Sequence, residues 1–128
     1  MAAQSPLRVL VVDDDQAVRD TIVDMLSAQG ASVQSAALPA EALQLAESAV
    51  EPFDLLVTDV ILPQMTGLEL ARRLAVLWPS LRVVYTSGYA NASIMTPGAV
   101  VPGAAFLTKP FMSSQLVSAA ETALSAAA

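Results

Sequence analysis

The segment FDLLVTD, residues 53–59, is followed at once by VILPQMTG, residues 60–67. A short run rich in Leu and Val that is bounded by turn-forming residues is typical of a buried strand. Asp59 then lies at the carboxyl end of that strand, and a loop marked by Pro63 and Gly67 follows it. In open α/β sheets, ligands bind at the carboxyl ends of the strands. Asp59 is therefore the first candidate site residue.

Four other short segments are rich in apolar residues and are bounded by polar or turn-forming residues. They are residues 8–12, 31–35, 81–85 and 104–108. Between them lie stretches with helical periodicity; the third is predicted to turn Leu70, Leu74 and Leu77 inward. Strands that alternate with helices are typical of βαβ units and of a parallel sheet covered on both faces. The sequence therefore predicts one doubly wound α/β domain, (βα)5, with a five-stranded parallel sheet.

The segment between the fourth and fifth predicted strands, residues 89–104, is less regular. A short helix through residues 92–95 fits the sequence, but Pro-Gly pairs at 97–98 and 102–103 interrupt the segment. We expect a truncated or irregular helix there, with local mobility.

The composition excludes several classes of function. The chain has 128 residues, of which 55% are hydrophobic and 14% charged, which is typical of one folded domain. It has no Cys and no His, which excludes disulfides, thiolate chemistry, a His-based metal site and a phosphohistidine within the chain. The excess of acidic residues, 12 against 6 basic, argues against nucleic-acid binding. Without a signal-peptide pattern or a membrane-length apolar run, the expected location is cytoplasmic, with no membrane contact.

Polar side chains are predicted at the carboxyl ends of four of the five strands. They are Asp13 with Asp14, Asp59, Ser87 next to Thr86, and Lys109. Because parallel strands end at the same edge of a sheet, these groups are expected to converge. Oxygen-only ligands with negative charge favour a hard cation such as Mg²⁺, which also binds phosphoryl oxygens. An ionised Asp beside that cation can attack phosphorus, while an ammonium and a hydroxyl group stabilise the equatorial oxygens.

Four short motifs carry a family resemblance. They are VVDD at residues 11–14, Asp59 with Pro63, Met65 and Gly67, the pair Ser87-Gly88, and KPF at residues 109–111. With these motifs in this order, the chain resembles the receiver domain of bacterial two-component response regulators. The resemblance covers about residues 7–125 and implies a single receiver domain over residues 1–128. It also implies the flavodoxin-like strand order 2-1-3-4-5.

The resemblance implies an acceptor and a metal site. Asp59 is the implied phosphoacceptor. Asp14 is the implied direct ligand of Mg²⁺, and Asp13 holds the ion mainly through water. The carboxylate of Asp59 and the backbone carbonyl of Ile61 complete the protein ligands.

The resemblance also implies three residues that respond to the phosphoryl group. Ser87 is expected to donate a hydrogen bond to it, and Lys109 to pair first with Asp59 and then with the phosphoryl oxygens. The Lys109-Pro110 peptide bond is expected to be cis. Phe106 matches the aromatic switch position of the family, although a Phe in the inward state gains only apolar burial.

The implied partner is a histidine kinase or a histidine phosphotransfer domain, whose phosphohistidine is the donor. The segments at residues 85–90 and 102–111 are similar to those in receivers of hybrid histidine kinases. Both a stand-alone regulator and a piece of a hybrid kinase fit the sequence. The oligomeric state is left open, with a monomer as one alternative.

Three other function classes stay open on the residues. A phosphatase of the haloacid dehalogenase type also has a strand-end Asp nucleophile, but it needs a second Asp where this chain has Ile61. A flavodoxin-like flavin carrier needs a phosphate loop, whereas Asp13 and Asp14 would repel phosphate. An inactive receiver that only binds proteins is the third. We expect no enzyme activity beyond slow self-dephosphorylation, because Ile61 and Tyr89, which flank the acceptor in the family, are bulky and assist no water.

Overall fold

The computed structural model describes residues 6–88 and 101–125, and the predicted parallel sheet is present. Its five strands lie in the order β2-β1-β3-β4-β5, and every neighbouring pair is parallel. In chain order the elements are β1 Arg8–Val12, α1 Gln16–Ala28, β2 Ser32–Ala36, α2 Pro39–Ser48, β3 Leu55–Asp59, α3 Gly67–Leu77, β4 Arg82–Ser87, β5 Ala105–Thr108 and α4 Ser113–Ser125. The predicted fold class and strand order are confirmed.

One predicted helix cannot be compared with the structure. The irregular segment at residues 89–104 falls mostly on residues 89–100, which lie outside the described residues, as does Tyr89. The described part of (βα)5 therefore consists of five strands and four helices.

The sheet is covered on both faces because side chains along each strand alternate between two cores. Val9 and Val11 of β1 face one core, which α1 and α4 complete with residues such as Ile22 and Leu116. Leu10 and Val12 face the other core, which α2 and α3 complete. All four of these β1 residues are fully buried. This near-continuous apolar run in the strand explains why it was predictable from sequence.

Side-chain caps fix where the helices next to the strand ends begin. Asp15 precedes α1, and its carboxylate accepts hydrogen bonds from the N–H groups of Ala17 (3.0 Å) and Val18 (3.3 Å). Thr66 caps α3 in the same way, by accepting from the N–H of Glu69 at 3.1 Å. Such caps satisfy N–H groups that have no partner within the helix. The caps thus set the first residues of the two helices, Gln16 in α1 and Gly67 in α3.

The predicted inner face of α3 is correct at two positions and wrong at the third. Leu70 and Leu74 are fully buried, but Leu77 is 51% exposed. The reason is that α3 ends at Leu77, and the next residue, Trp78, takes the place at the core. Its ring packs edge-on against Phe53, with 5.6 Å between the ring centroids.

Within the described parts of the chain, none of the helices has both the length and the hydrophobicity needed to cross a membrane.

Candidate phosphoacceptor site

The predicted site residues meet at one edge of the sheet. Asp13 directly follows β1, Asp59 and Ser87 end β3 and β4, and Lys109 directly follows β5. The strands run in parallel, so these four ends point the same way. Residues separated by up to 96 positions in the sequence therefore come into contact.

Lys109 connects two carboxylates. Its Nζ lies 2.8 Å from Asp13 Oδ2 and 2.9 Å from Asp59 Oδ2. The contact with Asp59 is the one expected from sequence, whereas the contact with Asp13 was missed. All three side chains are largely shielded from solvent, with relative exposures of 19% for Lys109, 13% for Asp59 and 0% for Asp13. The Lys109-Pro110 peptide bond is cis, as expected.

Burial and hydrogen bonding act in opposite directions on this ion pair. Burial raises the pKa of the Asp13 carboxyl group, and hydrogen bonds from Lys109 and from the Asp15 N–H only partly offset it. Burial acts to lower the pKa of Lys109, but its hydrogen bonds to Asp13 and Asp59 outweigh this effect, and the net pKa is raised. Lys109 therefore remains a cation at neutral pH, and one ammonium group serves two carboxylates.

The acidic side chains form a cluster suited to a cation. Carboxylate oxygens of Asp13, Asp14 and Asp59 lie within 4.8 Å of one another. Asp14 is exposed, and its carboxylate has no hydrogen-bond or ion-pair partner within residues 6–88 and 101–125. Three carboxylates facing one ammonium leave net negative charge, and oxygen ligands of this kind suit a hard divalent ion. The donor set thus fits Mg²⁺.

The loop after β3 is packed tightly against the backbone of Asp59. The N–H of Ile61 donates to Asp59 Oδ1 at 3.2 Å, and Thr58 Oγ1 donates to the Asp59 carbonyl at 3.0 Å. Gly67 lies so close that an added Cβ would overlap with the Asp59 carbonyl oxygen. Gln64 turns the loop with a φ of 74°, which is in the left-handed region. The loop therefore fixes Asp59 through both its side chain and its backbone.

The end of β4 connects the acceptor loop to Lys109. The Thr86 carbonyl accepts a hydrogen bond from the N–H of Val60 at 2.9 Å, and the Ser87 carbonyl accepts one from the N–H of Lys109 at 2.8 Å. The side chains of Thr86 and Ser87 are both buried. Thr86 Oγ1 has no hydrogen-bond partner among the described residues. This unpaired buried hydroxyl could not be read from the sequence, in which Thr86 was only the neighbour of Ser87 at the strand end.

A known protein family matches most of this chain. The family model of the response regulator receiver domain matches residues 9–121. The chain belongs to this family. As a receiver domain it is part of two-component signalling.

Two curated relatives show how the receiver domain is used in different contexts. It is 34% identical over 120 residues to the response regulator receiver protein CpdR of Brucella abortus (strain 2308), covering 94% of this chain and 98% of CpdR. It is 36% identical over 108 residues to the sensor kinase CckA of the same organism, covering 84% of this chain. The receiver domain spans only 11% of the length of CckA.

A solved structure agrees with the fold. The receiver domain superposes on the crystal structure of a CheY-like response regulator receiver domain protein from Methanospirillum hungatei JF-1 with a TM-score of 0.81. The two are 32% identical, and the match covers 94% of each chain.

The aromatic residues of β4 and β5 form a stack at the face of the receiver domain away from α1. Phe106 is 48% exposed, and its ring stacks on fully buried Tyr85 with 5.5 Å between centroids. The Tyr85 hydroxyl accepts a hydrogen bond from the N–H of Val101 at 3.2 Å. Burial raises the pKa of Tyr85, and the Val101 hydrogen bond opposes this effect. The predicted switch residue is thus in an outward position, supported by an aromatic ring below it.

A mostly apolar groove of about 500 Å³ opens beside Lys109. Its lining comes from α1 and from the segment after β5, with Gly88 between them. The lining residues are Ala17, Val18, Thr21, Gly88, Lys109, Pro110 and Phe111. The groove gives the receiver domain an apolar surface directly next to the Lys109 ammonium group.

Proposed function

We propose that this receiver domain is a phosphoacceptor switch, in which Asp59 accepts a phosphoryl group from a phosphohistidine of a histidine kinase or phosphotransfer domain. The observation that supports this most directly is the Lys109 ammonium held between Asp59 and the fully buried Asp13. It places a fixed cation beside a carboxylate nucleophile at the open edge of the sheet. A receiver used only as a binding surface has no need of such a buried charge arrangement, which is costly to maintain.

The proposed cofactor is Mg²⁺, held by the carboxylates of Asp13, Asp14 and Asp59 and by the backbone carbonyl of Ile61. When bound, it neutralises charge on the phosphoryl oxygens. The proposal is supported by the 4.8 Å cluster and by the exposed carboxylate of Asp14, which no described residue engages.

In the transfer step, a carboxylate oxygen of Asp59 attacks phosphorus and the P–N bond of the phosphohistidine breaks. The electron pair of that bond stays on the imidazole nitrogen, and the phosphoryl group becomes an acyl phosphate on Asp59. The Lys109 ammonium pairs with the phosphoryl oxygens, and the Ser87 hydroxyl donates a hydrogen bond to them. The backbones of these two residues are adjacent, since the Ser87 carbonyl accepts a hydrogen bond from the Lys109 N–H.

The signal then passes to the face formed by β4, β5 and the segment between them. Movement of Ser87 toward the phosphoryl group changes the population of inward and outward states of Phe106. Support comes from the outward position of Phe106 and its stack on Tyr85, two residues before Ser87 on the same strand. The expected mobility of the intervening segment falls on residues 89–100, outside the described residues. We place the domain in the cytoplasm, where histidine kinases present their phosphohistidine.

We propose that the acyl phosphate is long-lived and that the domain is an acceptor, not an enzyme. Ile61 is 51% exposed beside Asp59 and carries no acid or base that could orient water. Replacing it with a polar residue, in Ile61→Asn, is expected to accelerate loss of the phosphoryl group. Decay is measured by intact mass after removal of the donor. A half-life of seconds for the unmodified chain would contradict the proposal.

The deciding experiment is incubation with acetyl phosphate and Mg²⁺, followed by intact mass spectrometry. We expect one phosphoryl adduct, lost in Asp59→Asn and in chelator but retained in Asp20→Asn, a matched control on the exposed side of α1. If the folded wild-type chain forms no adduct, the receiver is inactive and serves as a protein-binding module. Repeated turnover of acetyl phosphate without an accumulating adduct would favour the phosphatase.

A further inference from the structure

Arg19 of α1 makes a hydrogen bond that the proposed function does not use. Its Nη1 donates to the backbone carbonyl oxygen of Asp13 at 2.8 Å, in a partly buried position. Residues 13–24 contain five aspartates, yet the Arg19 side chain forms no ion pair within the described parts of the chain. The guanidinium group therefore binds a neutral backbone carbonyl, although the surrounding segment is rich in carboxylates.

The carbonyl that Arg19 holds belongs to the peptide that joins Asp13 to Asp14. Because the peptide is planar, its orientation fixes the N–Cα bond of Asp14 and thus the place from which the Asp14 side chain leaves the backbone. The Asp13 carboxylate is fixed independently, by Lys109 at Oδ2 and by the Asp15 N–H at Oδ1, 2.9 Å away. Asp14 has no such restraint from any described residue. The bond from Arg19 thus holds the peptide before Asp14, while the Asp15 N–H bond to Asp13 holds the peptide after it.

We propose that Arg19 is a positioning residue for the cation site, and that it acts by fixing the Asp13–Asp14 peptide so that Asp14 is preorganised for Mg²⁺. This inference rests on the proposed function, because it assumes that the site binds Mg²⁺. Side chains that hold metal ligands in place commonly change metal affinity by 10–100-fold when they are replaced.

Loss of the positive charge of Arg19 and loss of its positioning contact predict opposite changes in the Kd for Mg²⁺. A guanidinium near a divalent cation repels it, so loss of the charge alone tightens binding. Loss of the hydrogen bond frees the peptide and weakens binding. The sign of the change in Kd therefore separates the two roles.

The test is Mg²⁺ titration of the full chain by isothermal calorimetry, for wild type, Arg19→Met and Arg72→Met. Arg72 is exposed on α3 and pairs only weakly with Glu69, at 3.8 Å, so its variant removes one positive charge elsewhere. We expect the Kd of Arg19→Met to rise about tenfold and that of Arg72→Met to stay at the wild-type value. The rate of adduct formation in Arg19→Met is expected to return to the wild-type rate at saturating Mg²⁺.

An unchanged or lower Kd in folded Arg19→Met overturns the inference while leaving the proposed function intact. If wild type itself binds no Mg²⁺, both are overturned. Urea unfolding monitors the fold of each variant. Should Arg19→Met fail to fold, Arg19→Gln replaces it, because the shorter amide keeps the surface polar but does not reach the carbonyl. A wild-type Kd in that variant overturns the inference.

Discussion

Asp14→Asn is expected to reverse the order of stability between metal-free and metal-loaded protein. Three carboxylates lie within 4.8 Å of one another, and one ammonium group contacts two of them, Asp13 and Asp59. At that spacing and in a water-like medium, one pair of unit charges interacts with about 0.9 kcal/mol. Asp14 is exposed and lies near two other carboxylates, and we take the Lys109 ammonium, which contacts both of those carboxylates, to offset about one of the two repulsions. Its neutralisation should therefore raise the unfolding free energy by about 1 kcal/mol in chelator.

Mg²⁺ should reverse this order. A ligand present at 100 times its Kd stabilises the folded state by about 2.7 kcal/mol. Wild type should gain this amount, whereas Asp14→Asn, which lacks one carboxylate ligand, should gain much less. The variant should thus be the more stable protein in chelator and the less stable one in saturating Mg²⁺.

Urea unfolding provides the assay, because the single Trp, Trp78, reports on the core through its contact with Phe53. Asp20→Asn is the matched control, since it removes a carboxylate from the exposed side of α1 and should change neither curve. Two results would refute the reasoning: a destabilised Asp14→Asn in chelator, or an equal Mg²⁺ gain in variant and wild type.

Three further predictions concern the scaffold of the site. Gly67→Ala should cost about 2 kcal/mol of stability and slow adduct formation, because the added Cβ displaces the Asp59 carbonyl; a normal rate with normal stability would contradict this. Gln64→Gly should raise the unfolding free energy by about 1 kcal/mol, since Gly adopts the left-handed φ of 74° without the steric cost of a side chain. An unchanged unfolding free energy in urea would contradict this. Tyr85→Phe should cost about 1–2 kcal/mol by leaving the Val101 N–H unpaired. Burial raises the pKa of Tyr85 in the folded state above its ordinary value of 10.0. The stability that the neutral, buried Tyr85 side chain contributes is therefore complete below pH 10.0 and is lost as the pH rises further. The variant should therefore lack part of the alkaline loss of stability in a pH series of unfolding curves.

The sequence pattern was sufficient for the parallel α/β sheet and for the edge where the site forms, because apolar runs ending in polar residues define parallel strand ends. The family resemblance supplied the strand order and the pairing of Lys109 with Asp59, but not the contact between Lys109 and Asp13. Strand order brings side chains to a common edge without specifying which oxygens an ammonium group selects. Leu77 was placed inward by its spacing, yet the helix ends at that residue and Trp78 replaces it in the core.

Contacts between side chains and backbone were the least predictable. No sequence pattern around Arg19 predicts its hydrogen bond to the carbonyl of Asp13, because every residue has a carbonyl group. The unpaired hydroxyl of Thr86 was equally unpredictable from sequence, since three-dimensional packing decides whether a buried Thr hydroxyl has a hydrogen-bond partner.

The bridge made by Lys109 has a consequence for protein synthesis. Lys109 lies 50 positions after Asp59 and 96 after Asp13 in the chain. A nascent chain that has already emerged with its acceptor carboxylate still lacks the ammonium group until β5 has been translated and has joined the sheet. Chains that are truncated or stalled before that point present an Asp59 without its cation. The contacts that Lys109 makes with Asp13 and Asp59 can therefore form only after nearly the whole domain has been translated and has folded.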